Sequence, residues 1–123
     1  MVAAGGALGA LLRLAVAEAL PTSPRSWPTA TFVTNLLGAF LLGVLLEVLA
    51  RRGPDTGHRR TVRLALGTGL LGAFTTYSTL ATEAVLLGRD GRPGLAVAYG
   101  TASALGGLAS AAVGITVVAR WRR

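Results

Sequence analysis

Five consecutive residues, Thr75, Thr76, Tyr77, Ser78 and Thr79, place four aliphatic hydroxyls and a phenol inside an otherwise apolar stretch. Hydroxyls donate and accept hydrogen bonds without carrying charge, which suits them to surrounding a small ion stripped of water. A regular helix would scatter the five around its circumference and turn some toward lipid, where unpartnered polar groups are expensive. Ser and Thr can instead bond back to carbonyls of the preceding turn. Five in a row beside Gly67, Gly69 and Gly72 favour an interrupted helix whose released carbonyls look into a cavity. Such carbonyls suit a hard cation such as Na⁺ in a structural role.

Three further polar residues stand inside apolar runs. Asn35 follows Thr29, Thr31 and Thr34. Its amide offers two donors to an anion, or equally an interhelical hydrogen bond worth roughly 0.6 to 2 kcal/mol. Arg13 and Glu83 are charges at membrane depth, readable as transport residues or as snorkelling and paired side chains. Glu83 stands where a pore mouth would lie. Glu18 and Glu47 fall near segment ends and are assigned no role. The single His58 lies among arginines in a polar stretch and makes a poor metal site alone, and cysteine is absent, so thiolate metal sites and disulfides are excluded. No nucleophile with a histidine base, phosphate-binding glycine loop or carboxylate pair is present, so the sequence does not read as an enzyme.

These residues need elements to hold them. The 123 residues are 52% hydrophobic and 14% charged, with a mean hydropathy of +0.60. Lipid is the solvent that such a composition fits. A hydrocarbon core of roughly 30 Å takes about 20 apolar residues in helix, and four runs qualify: about 2–20, 29–50, 61–87 and 94–119. The expected fold is therefore all-α, a single four-helix transmembrane domain with the third helix broken near its middle. Turn residues Pro21 to Pro24 follow the first run, and a polar stretch from Arg51 to Arg60 separates the second from the third. Arg120-Trp121-Arg122-Arg123 closes the chain as an aromatic and basic interfacial anchor. Ala15-Val16-Ala17 resembles a signal-peptide cleavage site, but no charged stretch precedes the first run, which is kept as a membrane helix.

All twelve basic residues are arginine. Four spans collect eight of them on the side of both termini and the second loop, against Arg25, Arg89 and Arg92 opposite. That bias puts both termini in the cytoplasm of a multi-pass cell-membrane protein. The arginines sit at segment ends rather than along one face, so the net charge of +7 reflects topology and not nucleic-acid binding. Small residues recur at fourfold spacing, in Gly5-x-x-x-Gly9, Ala65-x-x-x-Gly69 and Gly106-x-x-x-Ser110-x-x-x-Gly114, the pattern of closely packed membrane helices. Four thin helices enclose little volume, so a pore is expected between subunits of a dimer.

Three stretches resemble the Fluc (CrcB) fluoride channels of bacteria: Gly5-Gly6-Ala7-Leu8-Gly9-Ala10-Leu11-Leu12-Arg13, Thr31-Phe32-Val33-Thr34-Asn35-Leu36-Leu37-Gly38, and Gly69 through Thr79. The last is close to that family's signature of glycines followed by Thr-Thr-Phe-Ser-Thr-Phe. The resemblance implies a dimer of antiparallel subunits, two narrow fluoride pathways along the interface, and a central Na⁺ on backbone carbonyls, here those of Gly72 and Thr75. It further implies Asn35 as the pore-lining asparagine, a hydroxyl track of Ser78 and Thr79 with Tyr99 and Ser103, and Glu83 as a vestibule carboxylate. Fluoride is small and strongly hydrated, so amide and hydroxyl donors and the positive edges of aromatic rings suit it.

Two features depart from that family. The signature's phenylalanines are Tyr77 and Leu80 here, and a leucine has no positive ring edge. The arginine bias is also large for a chain inserted equally in both directions. Together they point to a fixed orientation and a heterodimer with an oppositely oriented paralogue, the homodimer being the alternative. Competing functional readings are a small multidrug-type transporter subunit, which needs an acidic residue deeper in the first helix than Glu18, and a non-conducting assembly subunit of a membrane complex.

Overall fold

The computed structural model describes residues 1–121; Arg122 and Arg123 of the expected C-terminal anchor lie outside the described residues. Helix begins at once, with α1 over Val2–Ala19, and stops before Pro21. Helix α2 spans Thr29–Arg51 directly after Pro28, whose missing N–H is no loss at a helix start. Gly53, at φ +118°, and Pro54 then end the run. The third span is composite: α3 over Gly57–Val62, a π-helical segment over Arg63–Leu71, α4 over Gly72–Phe74, and α5 over Tyr77–Arg89. Helix α6, Pro93–Trp121, opens on a proline at its first position. No strand occurs among the described residues.

Four of these stretches, Val2–Ala19, Thr29–Arg51, Gly57–Arg89 and Pro93–Trp121, are long and apolar enough to cross a membrane. The third begins earlier than composition indicates, because Gly57 to Arg60, read as loop from their polarity, are helical. Helix satisfies their backbone groups while long arginine side chains still reach water. Nearby, the Arg63 guanidinium holds the exposed Asp55 carboxyl below the usual carboxylate range through a 2.9 Å hydrogen bond.

Packing explains why the third span is not one straight rod. Its first half, the π-helical segment with α4, lies against α1, whereas α5 lies against α6, and α2 packs along α6. The interruption between α4 and α5 is where the span changes partners. Glycines set the approach on the α1 side: a methyl group added at Gly5 would meet the Ala65 carbonyl, one at Gly9 the Leu70 carbonyl, and one at Gly69 would stand 2.6 Å from the Val2 carbonyl. On the other side, Gly43 faces the Ala111 carbonyl and Gly114 the Phe40 carbonyl. These are backbone-to-backbone contacts of the kind that hold helices together in lipid.

Candidate functional site

The interruption is two residues long. Thr75 (φ −77°, ψ 156°) and Thr76 (φ −149°, ψ 120°) are both extended between α4 and α5. Thr75 does what a solitary membrane threonine does, its hydroxyl donating to the Leu71 carbonyl at 2.9 Å. Thr76 does not. Its hydroxyl caps α5 by accepting from the Thr79 N–H at 3.2 Å and donates to the Thr79 hydroxyl at 3.0 Å, with Ser78 Oγ 3.3 Å away.

Helix α2 supplies the missing backbone partner. The Thr76 N–H donates to Asn35 Oδ1 at 2.8 Å, and Asn35 Nδ2 donates to the Thr76 carbonyl at 3.0 Å. The Asn35 side chain thus pairs with Thr76 as a second peptide unit would in a sheet, and because the Thr76 N–H needs an acceptor, the amide orientation is fixed. One amide N–H remains uncommitted.

The same bonds release two carbonyls. In an unbroken helix the Gly72 carbonyl would accept from the Thr76 N–H and the Thr75 carbonyl from the Thr79 N–H. Both donors are spent elsewhere, on Asn35 and on the Thr76 hydroxyl. Among the described residues neither carbonyl has another hydrogen-bond donor. Gly72 and Thr75 line a hollow of about 330 Å³ with Asn35, Tyr77 and Leu80. Tyr77 is 82% exposed and stands at its open side. The described side chains offer no group of three carboxylates or imidazoles able to hold a metal, so a cation here would have only carbonyl and hydroxyl oxygens for ligands.

A second hollow, of about 270 Å³, lies among α1, α2 and α5 and is lined by Arg13, Thr31, Thr34, Thr76, Thr79 and Glu83. Both Glu83 oxygens are engaged: the Thr31 hydroxyl donates to Oε1 at 2.9 Å and the Tyr99 phenol to Oε2 at 2.7 Å. Tyr99 is fully buried, with Trp27 edge-on at 5.5 Å between ring centres. Ser103, one turn further along α6, is buried, and its hydroxyl has no partner among the described residues. Arg13 is half-buried and forms no ion pair among the described residues.

The residues singled out from the sequence therefore separate into two groups joined at Thr76. Asn35, Gly72, Thr75, Tyr77 and Leu80 share the outward hollow; Arg13, Thr79 and Glu83 share the inner one, with Tyr99 tied in through Glu83. Ser78 is exposed beside Thr76, and Ser103 stands apart. Sequence reasoning gave no role to Thr31, Thr34 or Trp27. The two threonines had as their only signal a place close ahead of Asn35 in the same apolar run, and Trp27 had none. Tyr99→Phe is expected to leave Glu83 Oε2 without its donor and lower stability by about 1–3 kcal/mol, read as a fall in the thermal unfolding midpoint in detergent.

A four-span membrane helix bundle that gathers hydroxyls, an amide and released carbonyls at an interrupted helix has the groups that hold small ions stripped of water. Residues 1–115 match the family described as CrcB-like protein, Camphor Resistance (CrcB). The chain belongs to the CrcB family and is a multi-pass protein of the cell membrane. It is 46% identical over 122 residues to the Fluoride-specific ion channel FluC 2 of Leifsonia xyli subsp. xyli, covering 93% of this chain and 83% of that one. It is 41% identical over 121 residues to the Fluoride-specific ion channel FluC 1 of Mycobacterium bovis, covering 98% and 89%. A 54% identical match, to the Fluoride-specific ion channel FluC 1 of Cutibacterium acnes, spans 68% of this chain and 59% of that relative.

Proposed function

We propose that the chain is a subunit of a fluoride channel through which fluoride leaves the cytoplasm, its pathways lying where two oppositely oriented subunits meet. The observation that carries this reading is the hollow at the helix interruption. Two carbonyls without donors and an exposed phenol near the middle of a membrane span would be costly against acyl chains. A second subunit laid over that face would remove the cost and close the hollow into a buried site. The relatives' names supply the ion.

Within that frame each residue has a task. The uncommitted Asn35 N–H and the Ser78, Thr79 and Ser103 hydroxyls stand in for water around the anion, and Tyr99 of α6 borders the same track with its proton donated to Glu83. Tyr77 offers ring edges and a phenol donor, whereas Leu80 offers only volume. Glu83 can stand beside an anion path because Thr31 and Tyr99 already occupy both of its oxygens. A Na⁺ ion held by the Gly72 and Thr75 carbonyls would supply a fixed central charge. Arg13 positions the inner hollow from α1. Replacing Na⁺ with N-methylglucamine is expected to lower the thermal midpoint of the purified protein by several degrees, since a ligand bound only by the folded state stabilises it. An unchanged midpoint would remove the cation from this account.

The arginine bias and the Tyr77 and Leu80 replacements support pairing with a differing, oppositely inserted family member. The test is fluoride efflux from liposomes, followed with a fluoride electrode and compared with chloride. Efflux from the chain alone supports the homodimer, and efflux only after co-expression with a second family member supports the heterodimer. No fluoride flux in either preparation sinks the channel.

A further inference from the structure

At the arginine-rich end of the molecule, a hollow of about 330 Å³ lies between the last turns of α2 and the beginning of the third span. One wall is apolar, made by Leu46, Leu49 and Ala50; the other carries Asp55, Arg59 and Arg63. We propose that it binds the headgroup of an anionic glycerophospholipid. The inference is independent of fluoride conduction.

Among the described residues, Arg59 is the cation of this site without a salt bridge. Its Nε donates to the Pro54 carbonyl at 2.9 Å, which fixes the guanidinium over Gly53. Gly53 adopts φ +118°, a conformation that brings the Pro54 carbonyl round to it, and a methyl group there would stand 3.4 Å from Arg59 Nη2. Both Nη groups are left without an acceptor among the described residues. Arg63, in contrast, is committed: Nε and Nη2 both reach Asp55 Oδ2 at 2.9 Å. The carboxylate that would repel a phosphate is thereby neutralised. Glu47, the only other acid here, is engaged by Arg51.

Five arginines between residues 51 and 63 thus face two carboxylates, each already paired, leaving Arg52, Arg59 and Arg60 without a salt bridge among the described residues. A guanidinium fork matches phosphate oxygens two at a time. The apolar wall decides between a lipid and a free phosphate. Leu46 is 41% exposed near the end of α2, a helix long and apolar enough to cross a membrane, so an acyl chain can lie along it below a headgroup held by Arg59, and a free anion would leave that wall unused.

The test is native mass spectrometry of the full-length protein in micelles holding equal amounts of phosphatidylglycerol and phosphatidylcholine. Phosphatidylglycerol is expected to be retained in preference. Arg59→Gln should lower its retention about fivefold, the worth of one arginine at an anionic surface, while Arg89→Gln at the opposite end should not. Equal retention of the two lipids by the unaltered protein overturns the proposal whether or not the variant folds. So does an equal loss in Arg89→Gln, an unchanged Arg59→Gln, or displacement of the lipid by excess inorganic phosphate.

Discussion

Asn35→Asp is expected to reduce fluoride efflux from reconstituted vesicles by about two orders of magnitude, the scale set by an unpaired charge and a broken buried hydrogen bond. The substitution keeps Oδ1 for the Thr76 N–H but puts a second carboxylate oxygen 3.0 Å from the Thr76 carbonyl, where Nδ2 donates in the native protein. Repulsion replaces attraction at the interruption. The same change removes the uncommitted amide N–H and sets a negative charge beside the outward hollow. Asn35→Ala isolates the contribution of the charge, since it loses both bonds to Thr76 and the uncommitted N–H without adding one. Efflux from Asn35→Asp matching that of Asn35→Ala would show that the added charge plays no part in the loss, and efflux matching the native protein would remove Asn35 from the site.

Gly9→Ala should lower stability by about 1–3 kcal/mol, the usual range for overpacking a close-packed contact. The added methyl group would fall on the Leu70 carbonyl, with Phe74 N 3.0 Å away. Because those atoms are backbone, no side-chain rotation can clear them, and α1 must move off the third span. Gly88→Ala is the matched comparison: nothing lies within 4 Å of a methyl group there, so its unfolding midpoint should stay at or slightly above the native value. Equal midpoints for the two variants would mean that α1 does not rest on the π-helical segment as described.

Much of this arrangement was legible in the sequence. Four apolar runs gave the spans because lipid demands length and greasiness, both of which are local properties. Clustered hydroxyls beside glycines gave the interruption, since no regular helix could shelter them all. The three stretches resembling CrcB channels gave the family. What the sequence did not show depends on distant partners. Asn35 and Thr76 are 41 residues apart and Thr31 and Glu83 are 52 apart, and no periodicity connects them. Asn35 was equally readable as an anion donor or a helix-to-helix tie, and its tie to Thr76 is the part now visible. The π-helical stretch from Arg63 to Leu71 was hidden for another reason: a shift of backbone bonding to i→i+5 has no residue-type signature in a segment made of leucine, glycine and alanine with few polar marks. Helix at Gly57 to Arg60 was missed because side-chain polarity says where a residue sits, not what its backbone does.

The peptide-like grip of Asn35 on Thr76 also bears on biogenesis. A segment that needs another helix's side chain to complete its own backbone bonds cannot reach its final shape alone. Helix α2 precedes it in the chain, and synthesis proceeds from the N-terminus, so the template is already made when Thr76 leaves the ribosome. Placing the Asn35 helix after the Thr76 helix by circular permutation would reverse that order and leave the nascent third span without its mould.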